Sequence, residues 1–167
     1  EAPRAMVKRF ALEKAEAARL KLPPSTSGIL IAADTTVVSP DRKRVLNKPT
    51  SKRQAEKTLK TISGKTHTVL TGYVVFALTN GRVIKRRIIV VATSVKMKVL
   101  PARVIADYVA QGEPMDKAGA YGAQGIGMSF IESIRGSYSN VIGLPMAELV
   151  ADLETLFNLK PEWRKTR

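Results

Sequence analysis

Apolar positions recur along the chain at two spacings, one helical and one alternating, and their interleaving predicts a protein of the α/β or α+β class. Val7, Phe10, Ala11, Ala15 and Ala18 fall on one face of a helix expected over residues 5–20. Lys14 falls on that same face, where a lysine either extends to solvent or reaches an anion. Residues 29–33 are a short apolar run ending at Asp34, the pattern of a buried strand that delivers a carboxylate at its C-terminal end. Ser51 and Gln54 have capping-box spacing and open a helix with Ala55, Leu59 and Ile62 turned inward, and Gly64 stands where its C-cap belongs.

Residues 66–78 are rich in strand formers, and Asn80–Gly81 predicts a tight hairpin into a strand over 82–99. The block Lys85–Arg86–Arg87 interrupts that strand's apolar character and is expected on a solvated face or an edge. Pro101 opens a helix that Gly112 stops. Gly112, Gly119, Gly122, Gly125 and Gly127 then mark a loop-rich stretch able to approach a ligand closely. A strand over 128–134, a turn at Gly136 and a last helix from Pro145 complete the pattern, with Leu149, Val150, Leu153 and Leu156 inside. No internal repeat or linker divides the chain. Residues 1–158 read as one domain and 159–167 as a basic C-terminal tail.

At 167 residues the chain is long enough to bury a core without staples. It has no cysteine, which excludes disulfides and thiolate metal sites and suits a reducing compartment. No apolar run is long enough for a membrane span, so no membrane partner is expected. Charge changes the picture most: 28 Lys and Arg against 14 Asp and Glu leave +14. Such an excess suits a long polyanion such as RNA, or else a compartment whose proteins are generally basic. The cations concentrate at Arg42–Lys43–Arg44, Lys52–Arg53, Lys85–Arg86–Arg87 and Arg164–Lys165.

Four segments carry a more specific signal. They are Phe10–Ala11–Leu12–Glu13–Lys14–Ala15; Ala33–Asp34–Thr35 with Lys48–Pro49; Ser63–Gly64–Lys65–Thr66–His67–Thr68–Val69–Leu70–Thr71–Gly72; and Gly112–Glu113–Pro114–Met115–Asp116–Lys117 running on to Tyr121–Gly122–Ala123–Gln124–Gly125, closed by Gly143–Leu144–Pro145. In order and spacing they resemble the Maf family, the septum-formation-inhibitor-like nucleoside triphosphate pyrophosphatases, over nearly the whole chain. The resemblance implies an elongated α/β fold with a twisted mixed β-sheet, flanking helices and a cleft between two lobes. It also implies cleavage of a nucleoside triphosphate to monophosphate and pyrophosphate with Mg²⁺ or Mn²⁺, and a homodimer. The Tyr–Gly–Ala–Gln–Gly form is similar to the subgroup acting on dTTP and UTP.

Carried over residue by residue, the resemblance makes Asp34 the catalytic carboxylate, a general base or metal partner. Lys14 and Lys48 become phosphate contacts and Gln124 a substrate-lining amide. Asp116 and Lys117 read equally as catalytic groups or as a structural ion pair, and His67, the only histidine, reads as a packed core residue. Family members also carry a Ser-x-Ser-Pro-Arg-Arg phosphate loop ahead of the first helix, which these 167 residues do not contain. Because paired arginines are the bidentate part of phosphate recognition, residues 1–167 alone are expected to be inactive. Two functions therefore stand at this point. One is a dTTP/UTP-type pyrophosphatase of the cytoplasm or mitochondrial matrix. The other is a non-catalytic Maf-like subunit of a ribonucleoprotein, such as a mitochondrial ribosome particle.

Overall fold

The computed structural model describes residues 1–162, so the Arg164–Lys165 pair and the end of the basic tail lie outside the described residues. Helix α1 (Pro3–Arg19) starts with proline in its first turn, where the missing amide hydrogen costs nothing. Val7, Ala11 and Ala15, spaced by four, are fully buried on its inner face. Ala18 is exposed, because the helix has run past the sheet by its last turn.

Strand β1 (Gly28–Val38) pairs antiparallel with β2 (Thr66–Thr79), and β2 with β3 (Arg82–Met97). Strand β4 (Ile131–Arg135) adds to β3, giving a sheet in the order β1-β2-β3-β4. Among the described residues every ladder in this sheet is antiparallel, rather than mixed, while the α/β class holds. Asn80 and Gly81 turn the β2–β3 hairpin, both with positive φ (47° and 70°), as a two-residue turn matched to strand twist requires. Ile84 is skipped in the pairing, so a bulge sits at that end of the hairpin.

β1 continues four residues past the expected end. Thr36, Val37 and Val38 extend the β-branched run, and Asp34 sits in mid-strand opposite Gly72. The alternation of side chains then divides the sheet cleanly. Leu30, Ala32, Leu70, Val74, Phe76 and Ile88 face α1. The opposite face holds two apolar clusters, one at each end of the strands. Val37, Val69, Val95 and Met97 pack under α2 (Lys52–Ile62) and α3 (Ala102–Ala110). Ala33, Tyr73, Val75, Ile89 and Val91 pack against α5 (Met146–Phe157), the helix expected from Pro145 onward.

Helix α2 is capped by Ser51 Oγ, which accepts from the Gln54 amide at 3.2 Å. Gln54 Oε1 accepts in return from the amide of Thr50, one residue earlier than a standard box, at 2.7 Å. Met128 and Phe130 lie in a 3₁₀ turn rather than in β4, which begins only at Ile131. The short helix α4 (Tyr138–Val141) is an element the apolar pattern did not indicate.

Gly72 governs how closely α1 can lie on the sheet. A Cβ built there would stand 2.6 Å from the Val7 carbonyl oxygen, a backbone atom that cannot move without moving the helix. Gly72→Ala is therefore expected to destabilise the protein by about 1–3 kcal/mol through overpacking and to push α1 off the sheet. Chemical denaturation checks this, and a variant as stable as the native chain would contradict it.

Candidate active site

Close packing of α1 over Gly72 brings two of the sequence-derived site residues together. Lys14 Nζ donates to Asp34 Oδ1 at 2.5 Å and to the Ala33 carbonyl at 3.3 Å. The lysine side chain is 56% exposed and the aspartate 19%, so the pair sits at a surface with the carboxylate on its inner side. The lysine's misfit on the apolar stripe is thereby explained: it leaves the core face sideways to meet a carboxylate presented from mid-strand.

On the opposite face of β1 the next residue begins a belt of hydroxyls that separates the two apolar clusters. Thr35 Oγ1 lies 2.8 Å from Thr71 Oγ1 and donates to the Gly143 carbonyl at 3.2 Å. Thr71 Oγ1 also lies 3.2 Å from the backbone carbonyl of Asn140, so the two hydroxyl protons are shared among three contacts. Asn140, fully buried, donates from Nδ2 to the Val69 carbonyl at 3.2 Å and to Thr93 Oγ1 at 2.9 Å. Thr93 in turn donates to the Ser137 carbonyl at 3.1 Å. Three strands are thus tied to the 137–143 segment by buried polar groups that bond one another, although Asn140 Oδ1 is buried without a partner.

Gln124 lies in the loop after α3. It borders a depression of about 410 Å³ lined by Glu113, Lys117, Tyr121, residues 122–125, Val141 and Ile142. Lys117 Nζ contacts both carboxylate oxygens of Asp116, at 2.6 and 2.7 Å, so the two residues form an ion pair at the mouth of the loop. The Asp116 carboxyl is held below its ordinary range, first by the hydrogen bond from Lys117, with Lys48 adding a weaker attraction. Lys48 is itself exposed and belongs to this side of the molecule. Beneath the loop, His67 Nε2 lies 2.8 Å from Tyr121 Oη, and the rings meet edge to face at 5.4 Å. His67 is 1% exposed, a packed residue as expected from sequence.

The site residues therefore form two groups. Lys14 and Asp34 stand on the α1 face of β1; Gln124, Lys117, Asp116 and Lys48 gather on the other side, around the loop that packs on Val37. Thr35 and Gly143 are the link between them. Tyr108 and Asn140 lie outside the motifs, and Thr35, Thr71 and Glu113 lie within them without an assigned role. Each also bonds backbone groups distant in the chain, which leave no side-chain pattern to read.

Among the described residues no group of three or more His, Asp or Glu forms a ready cage for a metal. Mg²⁺ seldom needs one: it is commonly held by one or two carboxylates, with substrate phosphates and water completing the octahedron. A single, partly exposed Asp34 fits that use.

The basic block of β3 is less available than its sequence implies. Lys85 Nζ donates to the Leu156 carbonyl and lies 5.5 Å over the Phe157 ring. Arg87 Nε donates to Asp152 Oδ2 at 3.2 Å, beside the Tyr73 hydroxyl, which donates to the same oxygen at 2.6 Å. Two of the three cations thus strap α5 to the sheet, and Arg86 is exposed. No described helix is long and apolar enough to cross a membrane.

A helix-covered antiparallel sheet, a lysine of α1 meeting an aspartate of β1 and a glycine-rich loop over the opposite face agree with a Maf-like protein. The profile of that family, described as Maf-like protein, matches residues 1–156, and the chain belongs to the Maf family. It is 45% identical over 156 residues to a protein of Shewanella denitrificans named dTTP/UTP pyrophosphatase, covering 93% of this chain and 75% of that one. Proteins of the same name from Neisseria meningitidis serogroup B and Syntrophus aciditrophicus are 44% and 41% identical, with 76% and 74% of their lengths covered.

Proposed function

We infer that the protein hydrolyses dTTP or UTP to the monophosphate and pyrophosphate. The observation that carries this reading is the Lys14–Asp34 pair at 2.5 Å, in a chain that shares 45% identity with a dTTP/UTP pyrophosphatase. In the reaction a water oxygen bonds to phosphorus, the α–β bridging P–O bond breaks, and pyrophosphate leaves. Asp34 takes the proton that the attacking water gives up, a task for a carboxylate held on a rigid strand. Lys14 stands beside it as a point charge for a phosphate oxygen, and Lys48 and Lys117 supply positive charge on the loop side. Were Mg²⁺ or Mn²⁺ bound, Asp34 would be the carboxylate to hold it, as the alternative to serving as base, and the ion would further neutralise the triphosphate.

Thymine and uracil present an N–H donor flanked by carbonyl acceptors, and an amide such as Gln124 offers the complementary acceptor and donor. β1 comes first in the strand order among the described residues, with Asp34 on its α1 face and Val37, on which the Gly119 end of the loop packs, on the other.

The test is product analysis after incubation of the protein, at its natural length, with dTTP, UTP, dCTP and dGTP and Mg²⁺. Equal amounts of monophosphate and pyrophosphate are expected, fastest from dTTP and UTP. Release of inorganic phosphate instead of pyrophosphate, or no turnover of either pyrimidine, would reject the reading.

A further inference from the structure

The loop that carries Gln124 is wrapped around a carboxylate. Glu113 Oε1 accepts from the Gly127 amide at 3.0 Å and from the Tyr108 hydroxyl at 2.9 Å, and Oε2 accepts from the Ile126 amide at 2.9 Å. The Tyr108 hydroxyl also accepts from the Gly122 amide at 3.0 Å. One carboxylate and one phenol therefore hold both ends of the 122–127 segment, with Gln124 at its crest.

The glycines of the segment follow from this wrapping. A Cβ at Gly122 or at Gly125 would stand 2.6 Å from a Glu113 carboxylate oxygen. At Gly127 it would stand 2.7 Å from the Tyr108 hydroxyl and 2.8 Å from the Gly122 backbone. None of the three positions has a positive φ, so the requirement is space beside the carboxylate rather than backbone handedness. Burial pushes the Glu113 carboxyl up, but the Gly127 and Ile126 amides, the Tyr108 hydroxyl and Lys117 outweigh it and leave the group below the usual carboxylate range. Tyr108 is anchored independently, its ring packed edge to face on Phe130 at 4.8 Å.

We propose that Glu113, acting with Tyr108, is the positioning residue of the substrate site: it fixes the 122–127 backbone so that Gln124 presents its amide in one orientation to the base. The proposal rests on the pyrophosphatase reading for the identity of the ligand. An amide side chain can present donor and acceptor in either order, so selectivity between thymine or uracil and cytosine depends on how firmly its backbone is held. Glu113 touches no reacting atom in this role. Its three accepted bonds are all to the chain itself.

The experiment pairs amide hydrogen exchange with ligand binding in the native protein, Glu113→Gln and Tyr108→Phe. Glu113→Gln replaces one acceptor with an NH₂ that faces an amide donor. Exchange at Ile126 and Gly127 is expected to accelerate about tenfold or more, with β2 amides such as Val74 unchanged. Tyr108→Phe keeps the ring and the charge of Glu113 and should accelerate Gly122. The affinity for α,β-imido-dUTP, which resists hydrolysis, should fall about tenfold in Glu113→Gln and less in Tyr108→Phe, and the preference over the matching dCTP analogue should narrow in both. Faster exchange throughout β2 in Glu113→Gln would mean global loosening, and Tyr108→Phe then decides the matter.

Unchanged loop exchange in both variants would overturn the clamp. Faster loop exchange with unaltered affinity and selectivity would overturn its role in positioning. No binding of the analogue by the native protein would reject the nucleotide reading and the positioning role with it; this is distinguishable from failure of the clamp because exchange is measured without ligand.

Discussion

Asp34→Asn is expected to lower kcat for dTTP hydrolysis by about 10²–10⁴-fold, the usual contribution of a positioned general base. The substitution is nearly isosteric and keeps an oxygen to accept from Lys14, so it removes charge and proton affinity while leaving the strand's shape. Asp34 occupies mid-strand opposite Gly72, and its backbone bonds belong to the β1–β2 ladder whatever its side chain. The lysine–aspartate pair is more than half exposed on the lysine side, and ion pairs in that setting contribute about 0–1 kcal/mol. Stability should therefore change by no more than about 1 kcal/mol while turnover collapses. Pyrophosphate release measured beside a thermal melt separates the two effects. A variant with native kcat would remove Asp34 from the mechanism, and one that fails to fold would show the pair to be structural.

Lys14 and Asp34 were legible in the sequence through their match to a family pattern, and each also stands at an unexpected place in the periodicity. Lys14 sits on a stripe of alanine and valine, and Asp34 closes an apolar run; each is a charged residue where the periodicity asks for an apolar one. The structure resolves both misfits in one contact. What the sequence misplaced was the end of β1. A charge usually terminates a buried strand, yet here the α1 side of the strand is open enough to solvate the pair, and Thr36 to Val38 carry the ladder on. The helix over Pro3–Arg19, the cap at Ser51 and the Asn80–Gly81 turn were legible because each is decided by residues within a few positions of one another.

The loop side of the site was less readable. Glu113 is bound by backbone amides 13 and 14 residues downstream, and amides carry no letter in a sequence. Only the glycines at 122, 125 and 127 betray the arrangement, and they are equally the mark of an ordinary flexible loop. α4 is four residues long, too short to show a period, and is held by Asn140 reaching into the hydroxyl belt. The basic block at 85–87 read as a free surface patch because its partners, Asp152 and the end of α5, lie some 65 to 71 residues away.

Below neutral pH the protein is expected to lose stability before its carboxylates begin to protonate, and His67 is the cause. Burial lowers its pKa from 6.5 to about 4, so the folded state holds the imidazole neutral where the unfolded chain would protonate it. Between these two values the unfolded state binds more protons, and stability must rise with pH across the window. The contribution is fully present above about pH 6.5 and is lost as pH falls towards the folded value. One bound proton of difference changes stability by about 1.4 kcal/mol for each pH step of one, so the loss is about 2 kcal/mol by pH 5 and about 3 kcal/mol once both states are protonated. His67 is the only histidine, so no other imidazole contributes in the range from pH 6.5 to about 5. Glu113, Asp41 and Asp116, whose carboxyls are all held low, add their own loss only further down, as pH falls below the ordinary carboxylate range. His67→Gln removes the titration while retaining a polar group opposite Tyr121, and it should flatten the dependence of unfolding free energy on pH between about 6.5 and 5. Urea denaturation at half-unit intervals of pH measures the slope directly. An unchanged slope in the variant would show that the histidine takes up its proton as readily in the folded protein as in the unfolded chain, and that burial beside Tyr121 does not hold it neutral.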